Sequence, residues 1–311
     1  MHGDRLIGID LGGTKTEVIL MDTHSREYFR KRVPTPAGDY RGTLETVAAL
    51  VRDAETQAGA SGLPVGVAIP GSVSAITGRV KNGNSTWING QPMQADLSEL
   101  LRRPVTLTND ANCLALSEAA DGAGVGLPVV LAVILGTGCG AGISVNGQVI
   151  TGLNGVAGEW GHNPLPWTSQ AELAERPCFC GRYGCNETFL SGTGLSFTHR
   201  LMTGENHPAR RLVDLASAGD PEASTTVNRY LEHLARGLAA VINVLDPDLI
   251  VLGGGLSNAG QLYEALPGRL PEYVFGGECR TPIRPAVHGD SSGVRGAAWL
   301  GLRAPVPAQA S

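Results

Sequence analysis

Arg5-Leu-Ile-Gly-Ile-Asp10-Leu-Gly-Gly-Thr-Lys-Thr16 is a short apolar run that ends in a carboxylate and turns at once through two glycines. With Glu17–Met21 beyond it, the stretch predicts a strand, a glycine turn and a second strand, which together form a hairpin. The pattern returns about 125 residues later: Val129–Leu135 is a strong strand, Gly136-Thr-Gly-Cys-Gly140 a turn, and Ala141–Asn146 a second strand. Two such units predict a duplicated core, one copy near the start of each half.

Between and beyond the two hairpins, strands alternate with helices. Leu44, Val47, Leu50, Val51 and Ala54 fall on one stripe and predict a helix over 43–58, stopped by Gly59. Val65–Ile69 reads as a strand, and Val105–Thr108 as another that runs into Asn109-Asp110 and a helix over 111–120. A long helix is expected from Asp220-Pro221 through Val244, then a strand at Leu249–Leu252 entering Gly253-Gly-Gly255, and a last helix at Ser292–Leu300. The fold class is therefore α/β. Residues 152–200 are glycine-rich and read as irregular, a poor candidate for a core of their own.

Chemistry concentrates at the strand ends. The turn after Asp10, with Gly12, Gly13, Thr14 and Lys15, offers backbone N–H groups to an anion, and the acid suits a divalent cation. An ordinary hairpin turn has the same composition. Gly8 and Gly13 have the outer spacing of a P-loop, but Thr14 intervenes before Lys15. Gly136–Gly140 and Gly253–Gly255 also miss the dinucleotide pattern, because Ile143 and Asn258 stand where its last glycine belongs. Three separated glycine turns suit one nucleotide, or three structural turns. Asp110, at a strand-to-helix junction, serves either as general base for phosphoryl transfer to an alcohol or as helix N-cap. Asn109 beside it offers a donor and an acceptor to a polyol.

Cys178-Phe-Cys-Gly-Arg-Tyr-Gly-Cys185 sets three soft ligands on one tight loop, and His162 can complete a closed, four-coordinate set for structural zinc; reduced thiols beside an unrelated histidine are the other reading. Glu159 and Glu187 flank these ligands and can accept hydrogen bonds from sugar hydroxyls. Asn84 lies in the short-sided polar segment Asn82–Asn89. The other histidines, His199 and His207 among them, carry no carboxylate or cysteine pattern that promotes them.

The 311 residues include 24 basic and 29 acidic side chains, a formal net charge of −5. No overall positive field is present to hold nucleic acid or an anionic membrane. No secretory or membrane-spanning segment precedes Leu6, so cytoplasmic residence is the expectation. Crowded cysteines in that setting read as metal ligands before disulfides.

Asp10-x-Gly-Gly-Thr-Lys15, Asn109-Asp110-Ala-Asn112, Gly136-Thr-Gly138, Gly158-Glu-Trp-Gly-His162, the Cys178–Glu187 loop and Gly253-Gly-Gly255 together resemble the ROK family of repressors, open reading frames and sugar kinases. The resemblance runs over residues 5–302. Three longer strings, Lys81–Pro92, Trp160–Trp167 and His288–Trp299, look most like bacterial fructokinase of the manno(fructo)kinase type.

The resemblance implies an actin-like ATPase fold with a ribonuclease H-like duplicated core, two domains flanking a nucleotide and sugar cleft. The first is expected at 1–118 plus 290–303, the second at 119–289 with the zinc loop, and a flexible tail at 304–311. It implies ATP and Mg2+, with Asp10, Gly12, Gly13, Thr14, Lys15, Thr137 and Gly138 at the phosphates and Gly254 and Gly255 at the adenosine. Asn84, Asn109, Glu159, His162 and Glu187 would line the hexose pocket, with Asp110 as base for the 6-hydroxyl of fructose, and mannose as a further substrate. A glucokinase or N-acetylglucosamine kinase shares the mechanism, and a non-catalytic sugar-binding regulator would use the pocket without turnover. Repressors of the family carry an added N-terminal DNA-binding segment, which is not expected here because the motif starts at the tenth residue. A homodimer is implied by the resemblance alone.

Overall fold

The computed structural model describes residues 4–173 and 175–303, so the tail expected at 304–311 lies outside the described residues. The chain divides into two compact units, one built from residues up to 125, from 147–157 and from 290 onward, the other from 126–146 and 158–289. The boundary expected from sequence gave 119–125 and 147–157 to the second unit. Their contacts explain the difference: Gly124 N donates to Glu118 O, and the backbone of Gly155 lies against Val73 O.

In the first unit β1 (Arg5–Leu11), β2 (Lys15–Asp22), β3 (Glu27–Pro34), β4 (Val65–Ile69) and β5 (Val105–Asn109) form one sheet in the order β3-β2-β1-β4-β5. The first three pair antiparallel, and β1, β4 and β5 parallel. Both faces are covered, which is why the inner strands read as continuous apolar runs. Ile7, Ile9, Val18 and Leu20 face the helix Tyr40–Ala58, whose Val47, Leu50, Val51 and Ala54 share their core. That helix starts earlier than its apolar stripe because Asp39 caps it, accepting from Gly42 N, and it stops at Gly59 in a left-handed conformation. β3 carries no apolar run; it is a charged edge strand.

The opposite face receives the C-terminal helix Ser292–Leu300 through Leu6, Ile19, Met21, Val294 and Ala298. It approaches so closely that a Cβ on Gly8 would lie 2.1 Å from Val294 O, and one on Gly66 2.0 Å from Ala297 O. Gly8 is thus a packing glycine inside β1, which removes the near-match to a P-loop. On its other side Gly296 presses on Cys113 O of the helix Asp110–Asp121, and Arg295 pairs with Asp121.

In the second unit β6 (Val129–Leu135), β7 (Cys139–Val145), β8 (Leu249–Gly253) and β9 (Ile283–Pro285) run in the order β7-β6-β8-β9. One antiparallel pair followed by two parallel pairs repeats the β2-β1-β4-β5 arrangement of the first unit. The helix Pro221–Leu245 packs Leu231, Leu234, Leu238 and Ile242 into this unit's core. Asp220 caps it by accepting from Ala223 N, and Asp246 ends it in a left-handed conformation.

Residues 152–200 are more ordered than their composition suggests. Helices Glu187–Leu190 and Gly192–Thr203 lie within or at the edge of this stretch, and Trp160, Leu165, Phe189, Leu190 and Leu195 belong to the core of the second unit. Helix Gly192–Thr203 opens on two glycines, so propensity hides it; Ser191 caps it by accepting from Gly194 N at 3.0 Å. Among the described residues no helix is long and apolar enough to cross a membrane.

Candidate active site

The first unit carries Asp10, Gly12, Gly13, Thr14, Lys15, Asn84, Asn109 and Asp110. Asp10 pairs with Ala68 across β1 and β4, and Ile69 with Asn109 across β4 and β5, so Asp10 and Asp110 stand at the carboxyl ends of parallel strands. That end of an open α/β sheet is where ligands bind. Asp10 keeps part of its surface open, yet burial, then the carboxylates of Asp110 and Glu17, push it up to about 7 against the pull of Arg32. A divalent cation here would reverse that shift, so the acid pair fits such an ion.

Thr35, at the end of β3, braces the glycine turn. Its hydroxyl donates to Gly12 O at 2.8 Å and its N–H to Thr14 O at 3.0 Å. A trans peptide sends its N–H opposite its carbonyl, so anchoring Gly12 O turns the Gly13 N–H away from Thr35. Gly13 lies against Ser85, where a Cβ would stand 3.2 Å from the hydroxyl, and this brings Asn84, exposed beside Ser85, to the same turn. Gly293, at the start of the C-terminal helix, approaches Asp10 equally closely, 3.2 Å from a built Cβ to its carboxylate oxygen.

The helix cap falls on the residue before Asp110. Asn109 is the N-cap, its Oδ1 accepting from Asn112 N at 2.7 Å, and Asp110 is the first helical residue, accepting from its neighbour Ala111 N at 2.8 Å. Capping therefore occupies the acceptor oxygen of Asn109 and leaves its amide N–H groups for a ligand.

The second unit carries Thr137, Gly138, Glu159, His162, Cys178, Cys180, Cys185, Glu187, Gly254 and Gly255. Its first glycine turn is held from outside: Gly192 N donates to Gly136 O at 2.7 Å, Thr193 Oγ1 to Thr137 O at 3.0 Å, and Cys139 N to Glu187 Oε2 at 3.0 Å. Gly138 packs against the same group: a Cβ there would sit 2.7 Å from that Glu187 oxygen, which would have to shift. Gly254, at φ +82°, abuts Leu135 O at 2.6 Å from a built Cβ, so two of the three glycine turns meet in this unit. Gly255 has open space around it. Gly158 and Gly161 let the turn Glu159–His162 lie on β7, with built Cβ positions 2.3 Å from Ala141 O and 2.0 Å from Cys139 O.

His162, Cys178, Cys180 and Cys185 bring one ligand atom each within 4.8 Å of one another. Zn–S bonds of about 2.3 Å and a Zn–N bond of about 2.0–2.1 Å give a tetrahedron with S···S edges near ~3.8 Å and S···N edges near ~3.5 Å. Cys180 and Cys185 are 3.7 Å apart, and Cys178 Sγ is 3.5 Å from His162 Nδ1. The donor set therefore fits zinc, and it directs the other ring nitrogen of His162 away from the cysteines. Arg176, buried between the rings of Phe189 and Phe197 and donating to Thr198 Oγ1 at 2.8 Å, fastens this loop to the helices behind it.

A family model described as the ROK family matches residues 6–304. The chain belongs to the ROK family. The N-acetyl-D-glucosamine kinase of Yersinia pseudotuberculosis serotype O:3 (strain YPIII) is 42% identical over 299 residues, which span 95% of this chain and 98% of that protein. The ROK hexokinase of Thermus thermophilus has a TM-score of 0.84 at 32% identity, covering 95% of this chain and 97% of that one. A ROK glucokinase from Streptomyces griseus, solved with glucose and AMPPNP, has a TM-score of 0.77 at 26% identity over 95% and 98%. This ROK protein is a sugar kinase with the actin-like ATPase fold.

The fructokinase type expected from the three longer strings finds no support in these ROK relatives. The strings are rich in framework residues: Trp160 Nε1 donates to Gly237 O at 2.9 Å, Trp87 Nε1 to Thr43 Oγ1 at 3.1 Å, and Trp299 packs beside the buried C-terminal helix cluster. Thr35 and Gly293 escaped the sequence reading; a threonine just after an edge strand is too common a signal, and Gly293 shows its role only once the C-terminal helix is seen to return to β1.

Proposed function

We propose that this chain transfers the γ-phosphoryl group of ATP to the 6-hydroxyl of N-acetyl-D-glucosamine, in the cytoplasm and as a homodimer. The observation that carries the sugar is the 42% identity, sustained over 95% of the chain, to a kinase of that name. In this reading Asp110 takes the proton of the hydroxyl, whose oxygen attacks the γ-phosphorus as its bond to the β-phosphate oxygen breaks. ADP leaves. Asp10 would hold the magnesium that accompanies the nucleotide, an ion that would supply neutralisation of phosphate charge. Gly12, Gly13, Thr14 and Lys15 from the first unit and Thr137 and Gly138 from the second contact the phosphates, and Gly254 and Gly255 the adenosine. Asn84, Asn109, Glu159, His162 and Glu187 bind the sugar, and zinc on His162, Cys178, Cys180 and Cys185 holds the last part of that set in place.

The test is the specificity ratio. Initial rates with ATP on N-acetylglucosamine, glucose, mannose and fructose are expected to give N-acetylglucosamine a kcat/KM at least about tenfold above the others, the low end of what one extra apolar group in a pocket discriminates. A larger kcat/KM on fructose would overturn the assignment.

A further inference from the structure

His199, Glu205 and His207 come together where the helix Gly192–Thr203 turns into the helix Ala209–Ser217, one ring nitrogen or carboxylate oxygen from each lying within 4.8 Å of the others. We propose that they form a second metal site, separate from the cysteine cluster, for a divalent ion of the zinc, cobalt or nickel type. The argument starts from His199, which is only 2% exposed. Its Nδ1 lies 2.9 Å from Thr226 Oγ1, and the Thr226 hydroxyl donates to Glu222 O at 2.9 Å. A hydroxyl has one proton, so Nδ1 must carry its own hydrogen and donate it. Nε2 is then a bare lone pair, and among the described residues it has no hydrogen-bond partner.

A buried acceptor with nothing to accept is costly. It is also the state a metal requires, with the tautomer fixed by a hydrogen bond from the far nitrogen. Glu205 and His207 supply the other two ligands from the turn that follows Gly204, a left-handed glycine that ends the helix. Glu205 Oε2 and His207 Nε2 are already 3.0 Å apart, and the rings of His199 and His207 have centroids 5.4 Å apart. Ligand edges of about 3.4 Å follow from metal–nitrogen bonds near 2.0–2.1 Å, so side-chain rotation on an exposed turn closes the set. The half-buried His207 and exposed Glu205 give an ion its way in. Two imidazoles and one carboxylate select zinc-like ions over magnesium or calcium, which prefer all-oxygen shells. The bound ion would clamp the far end of the helix whose first two residues hold Gly136 and Thr137.

The experiment uses the purified full chain, gel-filtered into chelator-free buffer so that the cysteine cluster keeps its metal. Zn2+ titrated calorimetrically is expected to bind one further equivalent at micromolar or tighter affinity. His207→Gln and Glu205→Gln, both on the turn surface, are expected to weaken that equivalent at least tenfold while leaving kinase activity unchanged. Thr226→Val, which removes the outer hydrogen bond, should weaken it by about 10–100-fold. With Co2+ as probe, the added equivalent should show no thiolate charge-transfer band. No further equivalent in the parent protein, an added band from thiolate, or a loss of less than tenfold in His207→Gln would overturn the proposal.

Discussion

The two glycine turns that open the duplicated halves are built alike and braced differently. In the first unit Gly12 and Thr14 are held by Thr35, which follows the adjoining edge strand. In the second, Gly136, Thr137 and Cys139 are held by Gly192, Thr193 and Glu187, roughly fifty positions further along the chain. The first brace is nearly local and needs only the sheet. The second hangs on the segment that carries the cysteine cluster, whose last ligand, Cys185, is two residues before Glu187. The turn after Asp10 is thus held within its own sheet, whereas the turn at Gly136–Gly138 depends on the segment that carries the cysteine cluster.

The largest expected effect belongs to the first unit. Asp110→Asn should lower kcat by about 10²–10⁴, the range for losing a general base, with zinc content and thermal stability close to the parent. The cap stays on Asn109, so folding should not suffer; steady-state kinetics beside a melting curve check both. Near-parental kcat would move the chemistry elsewhere. Cys185→Ser should act on the second unit alone: the metal is lost, unfolding becomes easier by roughly 2–5 kcal/mol, and KM for sugar and ATP rise together as Glu187 loosens. Elemental analysis and urea unfolding read the first two. Unchanged kinetics in a metal-free variant would separate the cysteine loop from the turn it is argued to brace.

A third effect is confined to the second unit and appears with acid. His233 is 1% exposed and its Nε2 lies 2.8 Å from Glu172 Oε1. Burial lowers His233 from 6.5 to about 4, in spite of the carboxylate beside it. Burial opposes the charge of Glu172, but the Ser169 N–H, His233 and the Ser169 hydroxyl outweigh it and bring it from 4.5 down to about 2. Both folded values lie below the unfolded ones, so the unfolded chain binds more protons. Stability is complete above about pH 6.5 and falls through pH 4 and then pH 2, the His233 shift alone contributing on the order of 3 kcal/mol. Urea unfolding of the parent and of His233→Gln at pH 7 and pH 4.5 should show a smaller pH difference in the variant. Equal differences would remove the pair from the acid response.

Much of this was legible in the sequence where burial leaves a pattern. β1, β4, β6 and β8 are apolar runs because both sheet faces are covered, whereas β5 alternates valine and leucine with threonine before it meets Asn109-Asp110. β3 was invisible because an edge strand with Glu27, Arg30, Lys31 and Arg32 carries no hydrophobic signal. Helix Gly192–Thr203 was hidden by its opening glycines, which are there because Gly192 and Gly194 have backbone against them. The three cysteines that gather with His162 were readable as a cluster from one dense loop. His199 was not, since its ligand neighbours follow no known spacing and the group that sets its tautomer, Thr226, is 27 residues away. The reading of fructose from the three longer strings is not supported by the relatives, and the tryptophans in those strings serve the framework.

The smallest effect sharpens the comparison most directly. Thr35 is 8% exposed and also accepts from the fully buried Thr16, since its own proton goes to Gly12 O. Thr35→Val therefore frees a turn carbonyl and orphans a buried hydroxyl at once, a cost of about 1–3 kcal/mol. The Gly13 N–H loses its fixed direction, so KM for ATP should rise severalfold while KM for sugar holds. Thr193→Val removes the corresponding side-chain bond in the second unit, but the Gly192 N–H to Gly136 O bond and the Glu187 contact survive it. Its effect on stability and on KM for ATP should be the lesser of the two. Parallel calorimetric melts and ATP titrations decide it: if Thr193→Val costs as much as Thr35→Val, the two turns are braced with equal redundancy and the contrast drawn between them is wrong.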